Sequence, residues 1–193
     1  MHSLILASAS PRRKELLSLA GIPFDVRPSR VDEAFLSEES PAEHVKRLAR
    51  TKAGKAATCN PRRWVLGADT VVVLDGAVLG KPKDPREAKH MLNRLSGREH
   101  EVITGYCIMR SVPEIMREGA ATTRVRFKDL SPAEIRRYIR TGEPFDKAGG
   151  YAIQGKAAFM VREIIGSYTN VVGLPLCEVV EELIAVGAVR SFK

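Results

Sequence analysis

One stretch limits the folds open to this chain more than any other. Residues 64 to 74, Trp-Val-Leu-Gly-Ala-Asp-Thr-Val-Val-Val-Leu, form an almost unbroken apolar run with a single charge in it. Such a run suits a central β-strand buried on both faces, because a strand with one wet face would alternate. Asp75-Gly76 follows as a tight hairpin turn, and Val78-Leu79 starts the return strand. A strand covered on both faces needs helices, and the chain marks their starts with a repeated device. Ser10-Pro11, Ser40-Pro41, Asp84-Pro85 and Ser131-Pro132 each place a capping side chain before a proline. Proline is favoured at the first helical position, where its missing N–H costs nothing.

The rest of the chain fits around that strand. Leu4–Ala7, Phe24–Val26, Val102–Met109 and Ala121–Phe127 read as strands. Helical spacing gives inward faces at Leu16, Leu17 and Ala20, then at Val45, Leu48, Ala49, Ala53 and Ala56 in a helix running to about Ala57. It gives Ala88, Met91, Leu92 and Leu95 in a third helix and Ile135, Tyr138 and Ile139 in a fourth, with Gly21 and Gly142 as stops. Phe159–Ile165 and Tyr168–Val172 are expected to form a terminal hairpin around Gly166-Ser167. A last helix opens at Leu174-Pro175-Leu176; its stripe of Val179, Val180, Leu183, Ile184 and Val186 suits the core or a homodimer contact. Alternation of strand and helix, then hairpins, predicts a mixed, partly antiparallel α/β sheet with flanking helices, in a single domain over 1–193.

Composition narrows the function. The 193 residues are 44% hydrophobic and 28% charged, as for an ordinary globular protein. No apolar run approaches membrane-span length, and Met1-His2-Ser3-Leu4 lacks the basic start of a signal peptide, so a cytoplasmic protein is expected. Cys59, Cys107 and Cys177 are far apart and form no C-x-x-C pair; Cys107 and Cys177 are expected in the core. His2, His44, His90 and His100 are isolated in polar contexts, without the spacing of a zinc pair. Neither G-x-x-x-x-G-K-[ST] nor G-x-G-x-x-G occurs. The net charge of +8 implies an anionic partner. Basic residues form no long run and aromatics are only 6%, which favours a phosphorylated small molecule over nucleic acid.

The candidate chemistry lies at the exceptions to the pattern. Glu43, Glu87 and Glu134 stand three residues after their caps, where a carboxylate complements the helix's positive end. The first helix has Arg13 there instead, flanked by Arg12 and Lys14 and preceded by Ser8 and Ser10. Hydroxyls, backbone N–H groups and three cations make an anion cradle; the alternative is an exposed basic turn. Asp69, the one charge in the apolar run, needs a cation or metal partner, or else backbone N–H groups at a kink after Gly67. Glu33 lies in an acidic step outside any periodicity. Lys52 flanks an apolar stripe, as a surface lysine with a buried stem also would, and Lys81 is fixed between Gly80 and Pro82. Asp146-Lys147-Ala148-Gly149-Gly150-Tyr151-Ala152-Ile153-Gln154-Gly155 is a second glycine-rich segment. Carboxylate and phosphate oxygens suit Mg²⁺ or Mn²⁺, so these parts compose a metal-assisted phosphoanhydride hydrolase.

The sequence also resembles a known family, the Maf-like nucleoside triphosphate pyrophosphatases. The matching stretches are Leu-Ala-Ser-Ala-Ser-Pro-Arg-Arg, Leu-Ala-Arg-Thr-Lys-Ala, Gly-Ala-Asp-Thr, Gly-Lys-Pro, Asp-Lys-Ala-Gly-Gly-Tyr-Ala-Ile-Gln-Gly and Val-Val-Gly-Leu-Pro, in order from end to end. The resemblance implies two lobes around a cleft, as in inosine triphosphatase-like enzymes. It implies hydrolysis of a nucleoside triphosphate to monophosphate and pyrophosphate, a house-cleaning of the nucleotide pool. It implies Asp69 as proton acceptor, Ser8, Arg13, Lys52 and Lys81 at the phosphates, and Glu33 with Asp69 at the metal. Arg12, Thr70 and Gln154 match the subgroup acting on dTTP and UTP; the 7-methyl-GTP subgroup has Trp, Gln and Glu there. The competing class is a nucleotide-sensing or nucleic-acid-binding regulator of septum formation and cell division, with which relatives are associated.

Overall fold

A computed structural model describes residues 4–190, so His2 lies outside the described residues. The strands are β1 (Leu4–Leu6), β2 (Phe24–Val26), β3 (Trp64–Leu74), β4 (Ala77–Leu79), β5 (Glu99–Arg110), β6 (Ile115–Phe127) and β7 (Val161–Ile165). They form one sheet in the order β2-β1-β3-β5-β6-β7, with β4 paired to β3. The helices are α1 (Pro11–Leu19), α2 (Pro41–Thr58), α3 (Pro85–Leu95), α4 (Pro132–Ile139), α5 (Tyr168–Val172) and α6 (Leu176–Ala185). The fold is thus the mixed α/β sheet with flanking helices that the patterning implies. Among the described residues no helix is long and apolar enough to cross a membrane.

The chain divides into two compact units. The first comprises Met1–Asp69, Thr104–Ala121 and Gly173–Lys193; the second comprises Thr70–Ile103 and Thr122–Val172. Each boundary within β3, β5 and β6 falls in mid-strand, so β3 passes from one unit to the other between Asp69 and Thr70.

In the first unit β1 runs parallel to both β2 and β3, with Leu4 opposite Phe24 on one side and Trp64 on the other. Helix α2 lies against this layer through small residues. Ala49, Ala53, Ala56 and Ala57 pack with Ile5, Ala7, Val65 and Cys107. A Cβ at Gly67 would stand 2.2 Å from the Ala49 carbonyl oxygen, and one at Gly105 2.4 Å from the Val45 carbonyl carbon. The two glycines therefore let the helix backbone approach the strands more closely than any side chain would allow.

In the second unit the far half of β3 turns back as the hairpin with β4, Val72 opposite Leu79. Asp75 and Gly76 both have positive φ, 52° and 76°, the backbone a two-residue hairpin turn requires. Strand β7 adds antiparallel to β6, Arg124 opposite Ile165. Val72, Leu92, Leu95, Phe127, Ile135, Tyr138, Tyr151 and Met160 share one buried cluster.

Several readings change. Tyr168–Val172 is a helix, not the return strand of a hairpin, because Ser167 takes a capping position: its Oγ accepts from the Asn170 N–H at 3.2 Å. Strand β6 starts six residues before the segment that marked it, at Ile115, through a stretch with no buried residue, and β5 gains Glu99–Glu101 at its start, where only His100 is buried. Cys177 is exposed beside Glu181, whereas Cys107 is buried as expected. His44 and His100 are buried, not isolated in polar surroundings. In α3 the Glu87 carboxylate accepts from the Lys83 N–H rather than from the cap residue, so only α2 and α4 carry complete capping boxes.

Candidate active site

The site in the first unit is built by α1, the middle of β3, α2 and the loop between β2 and α2. Ser10 caps α1, accepting from the Arg13 N–H at 3.5 Å, and the first turn holds no acid. Arg13 does not splay into water. Its Nε donates to the Gly173 carbonyl at 2.8 Å, and its Nη1 to Ser8 Oγ at 3.1 Å and to the Ala68 carbonyl at 2.9 Å. The guanidinium thus ties α1 to the middle of β3 next to Asp69. Burial lowers its pKa from the ordinary arginine value, the charge of Asp69 opposes that, Arg12 adds to the lowering and Glu33 opposes it. Ser8 is itself buried, and its Oγ also accepts from the Ser10 N–H at 3.2 Å.

The close approach that Gly67 permits brings Lys52 of α2 over Asp69 of β3. Lys52 Nζ stands 2.7 Å from Asp69 Oδ1 and 2.6 Å from Glu33 Oε1. The side chains of Lys52 and Asp69 are 9% and 14% exposed, while that of Glu33 is 55% exposed. The two carboxylates therefore differ in setting, one sheltered at the strand and one open to water. Of the readings open for Asp69, the partnered one holds: its carboxylate is met by a lysine ammonium.

The β2–α2 loop that carries Glu33 is irregular but fastened along one side of α2. Lys55 Nζ donates to the Arg30 carbonyl at 2.8 Å and Arg47 Nη2 to the Ala34 carbonyl at 2.9 Å. Arg47 Nε lies 2.6 Å from Glu39 and holds that carboxyl down to about 2, helped by His44. His44 stacks on Phe35 with ring centroids 3.5 Å apart. Positions 44, 47, 52 and 55 follow helical spacing, so these fasteners share a face. Sequence reasoning missed Arg47 and Lys55; their one signal was cations at that spacing opposite an acidic loop.

Of the remaining candidates, Thr70, Lys81 and Gln154 belong to the second unit and Arg12 to the first. Thr70 follows Asp69 directly in β3 and is half-buried. Lys81 is exposed after β4, beside Gly80, whose carbonyl accepts from the Gly149 N–H at 3.0 Å. Gln154 is exposed in the turn after Tyr151, in the same unit. Arg12 is half-buried on α1 in the first unit. Ser8, Arg13, Glu33, Lys52 and Asp69 are thus gathered in one unit, and Lys81 and Gln154 are placed in the other.

A model of the Maf-like protein family matches residues 3–186. The chain belongs to that family. A Maf-like relative from Geotalea uraniireducens, a dTTP/UTP pyrophosphatase, is 57% identical over 188 residues, covering 97% of each chain. Another of that name from Syntrophus aciditrophicus is 54% identical over 187 residues, covering 97% of this chain and 91% of its own. A third, from Symbiobacterium thermophilum, is 52% identical over 187 residues, covering 97% and 95%. Among solved structures, the Ham1 protein of Staphylococcus aureus superposes with a TM-score of 0.46 at 16% identity, over 65% of this chain and 72% of its own, too loose a likeness to argue from.

For this Maf-like chain the donor set fits a hard divalent cation. Two carboxylates already converge on one positive charge, and they supply the oxygen ligands that Mg²⁺ and Mn²⁺ prefer. No group of three or more His, Cys, Asp or Glu side chains converges among the described residues. An ion held by two carboxylates would take the rest of its shell from phosphate oxygens and water, as Mg²⁺ commonly does.

Proposed function

We propose that the protein hydrolyses dTTP and UTP to the nucleoside monophosphate and pyrophosphate, a house-cleaning of the nucleotide pool. The observation that carries this reading is the pair of carboxylates, Asp69 and Glu33, drawn onto the Lys52 ammonium beside the buried Arg13. The activity named for relatives that match this chain over nearly its full length supports it. Asp69 is the sheltered carboxylate and acts as the base: it orients a water and takes its proton as the oxygen attacks phosphorus. Lys52 sits where it offsets charge on the phosphates, and Lys81 adds a second ammonium. Ser8 and Arg13 hold the turn at the start of α1, whose N-terminal end and basic residues favour a phosphate. Asp69 and Glu33 would hold Mg²⁺ or Mn²⁺, which when bound neutralises phosphate oxygens and fixes their orientation. Arg12, Thr70 and Gln154 set the choice of base. An amide both donates and accepts, matching the carbonyl and N–H groups along the edge of uracil or thymine. A free nucleotide pool as substrate places the activity in the cytoplasm.

Hydrolysis of UTP with Mg²⁺ in ¹⁸O-labelled water tests the reaction itself. Attack at the α-phosphorus puts the label in UMP and leaves pyrophosphate unlabelled. Release of orthophosphate would overturn the reading, and saturable binding without any product would favour a nucleotide-sensing regulator.

A further inference from the structure

The turn that carries Gln154 is held at both ends by groups with no part in the chemistry above. At its start, the buried Tyr151 hydroxyl lies 2.7 Å from Nε2 of His100 on β5, a residue 2% exposed. His100 meets Phe127 edge to face at 5.0 Å and 87°, and Tyr151 at 5.4 Å and 85°. Phe127 and Tyr151 complete the triangle at 4.8 Å and 75°. Nδ1 of His100 is buried without a partner, so the Tyr151 hydroxyl is the imidazole's one hydrogen bond among the described residues. At the far end, Glu143 Oε2 accepts from the Lys156 backbone N–H at 3.0 Å, and Oε1 accepts from the Tyr138 hydroxyl at 3.0 Å. A Cβ at Gly155 would lie 2.3 Å from Glu143 Oε1, so the carboxylate sits directly against the turn. Within it, the Gly155 N–H donates to the Ala152 carbonyl at 3.0 Å. The exposed Gln154 stands between these two fixtures.

We propose that His100 and Glu143 are positioning residues for substrate choice: by fixing Tyr151 and Lys156 they hold the intervening turn in one conformation and so aim the Gln154 amide. All the groups concerned lie in the second unit. The proposal rests on the reading that Gln154 recognises the base, and it goes further by saying what makes that recognition selective. An exposed amide on a loose turn would swing to suit uracil or cytosine alike. Held in place, it leaves polar groups unpaired against the wrong base, which is where hydrogen-bonding sites gain discrimination. Misplacement of a contact by about 1 Å is enough to forfeit it.

The test compares Tyr151→Phe and Glu143→Ala, each alone and combined with Gln154→Ala, with Glu143→Gln as the conservative variant. The readouts are kcat and KM for UTP and CTP, with melting temperature to confirm folding. Both single variants are expected to raise KM for UTP and to lower the UTP-to-CTP ratio of kcat/KM by about tenfold. Their kcat for UTP should change by less than about threefold, since the reacting groups are untouched. Glu143→Gln keeps an acceptor for the Lys156 N–H and should retain most of the ratio. Neither variant should lower the ratio further once Gln154 is alanine. Unchanged ratios in both single variants, with a lowered ratio in Gln154→Ala, would overturn the proposal alone. Equal losses with and without Gln154 would overturn it too, as the mark of a general structural role. An unchanged ratio in Gln154→Ala itself would overturn the base-recognition reading together with the proposal. Glu143 is half-buried at the edge of the cluster, so its variants decide the question even if Tyr151→Phe does not fold.

Discussion

Asp69 is a sheltered carboxylate in the middle of β3, its charge met by the Lys52 ammonium 2.7 Å away. Asp69→Asn keeps the shape and removes the proposed proton acceptor. Turnover of UTP should fall by a hundredfold or more, the usual scale for a general base, while the fold survives because Glu33 still partners Lys52. Near-normal turnover would remove Asp69 from its role. Arg13 gives a different expectation. A cation at the third helical position reads as a free phosphate ligand, and the sequence offered no sign that it also serves as an internal tie. Ser8 Oγ is a near neighbour, but the other two acceptors are the carbonyls of Ala68 and Gly173, distant in sequence, and backbone acceptors leave no mark in a residue pattern. Arg13→Ala should therefore lower stability by about 2 kcal/mol or more, since it strands buried acceptors, besides weakening triphosphate handling. Arg137→Ala, at an exposed position on α4, should change neither. Equal melting temperatures for the Arg13 and Arg137 variants would show that the three hydrogen bonds are not formed in solution. His100 adds a pH dependence. Desolvation lowers its pKa to about 4, below the ordinary histidine value, so the unfolded chain binds the extra proton first. Stability should be full above about pH 6.5 and decline as the pH falls towards 4, by up to about 3 kcal/mol from this group. Chemical denaturation across that range checks it, and His100→Phe should lose that part of the decline.

Whole elements were legible where their signal was local. The Ser-Pro and Asp-Pro starts located α1 to α4, and the apolar run located β3, because caps and continuous burial are written in adjacent residues. The loss came where exposure removes the signal, as in the outer half of β6, and where a short apolar segment fits either state, as in α5. Gly67 shows a constraint that no pattern announces. It reads as a neutral break in a strand, yet it sets how near α2 comes to β3 and hence where Lys52 stands. Gly67→Ala should destabilise by roughly 1–3 kcal/mol, as overpacking does, and should cut turnover beyond that cost by shifting Lys52 from Asp69. Full activity in a stable Gly67→Ala protein would contradict the argument. The β2–α2 loop makes the opposite case, being secured by polar contacts on its surface. Arg47→Ala should lower stability by about 1–3 kcal/mol, because it takes the main partner from a Glu39 side chain only 8% exposed. It should raise the Mg²⁺ concentration needed for half-maximal turnover, as the segment bearing Glu33 loosens. An unaltered Mg²⁺ requirement would count against Glu33 as a metal ligand.

The whole molecule combines a basic chain, a mixed sheet and a carboxylate–lysine cluster. The net charge of +8 indicated an anion and the aromatic content of 6% turned the reading from nucleic acid towards a nucleotide. What the patterning alone did not supply was the base, because Arg12, Thr70 and Gln154 are spread over most of the chain and none is marked by its neighbours. The proposal that the three act as a set rests on the resemblance of the sequence to the dTTP/UTP subgroup. The most direct measurement is the specificity constant of the wild-type enzyme for UTP, dTTP, CTP, ATP, GTP and 7-methyl-GTP with Mg²⁺, pyrophosphate release being the readout. UTP and dTTP should lead, with the 5-methyl group of dTTP tolerated, CTP poorer because its amino group reverses one hydrogen bond, and the purines last. A preference for 7-methyl-GTP, or equal constants across the panel, would contradict the account.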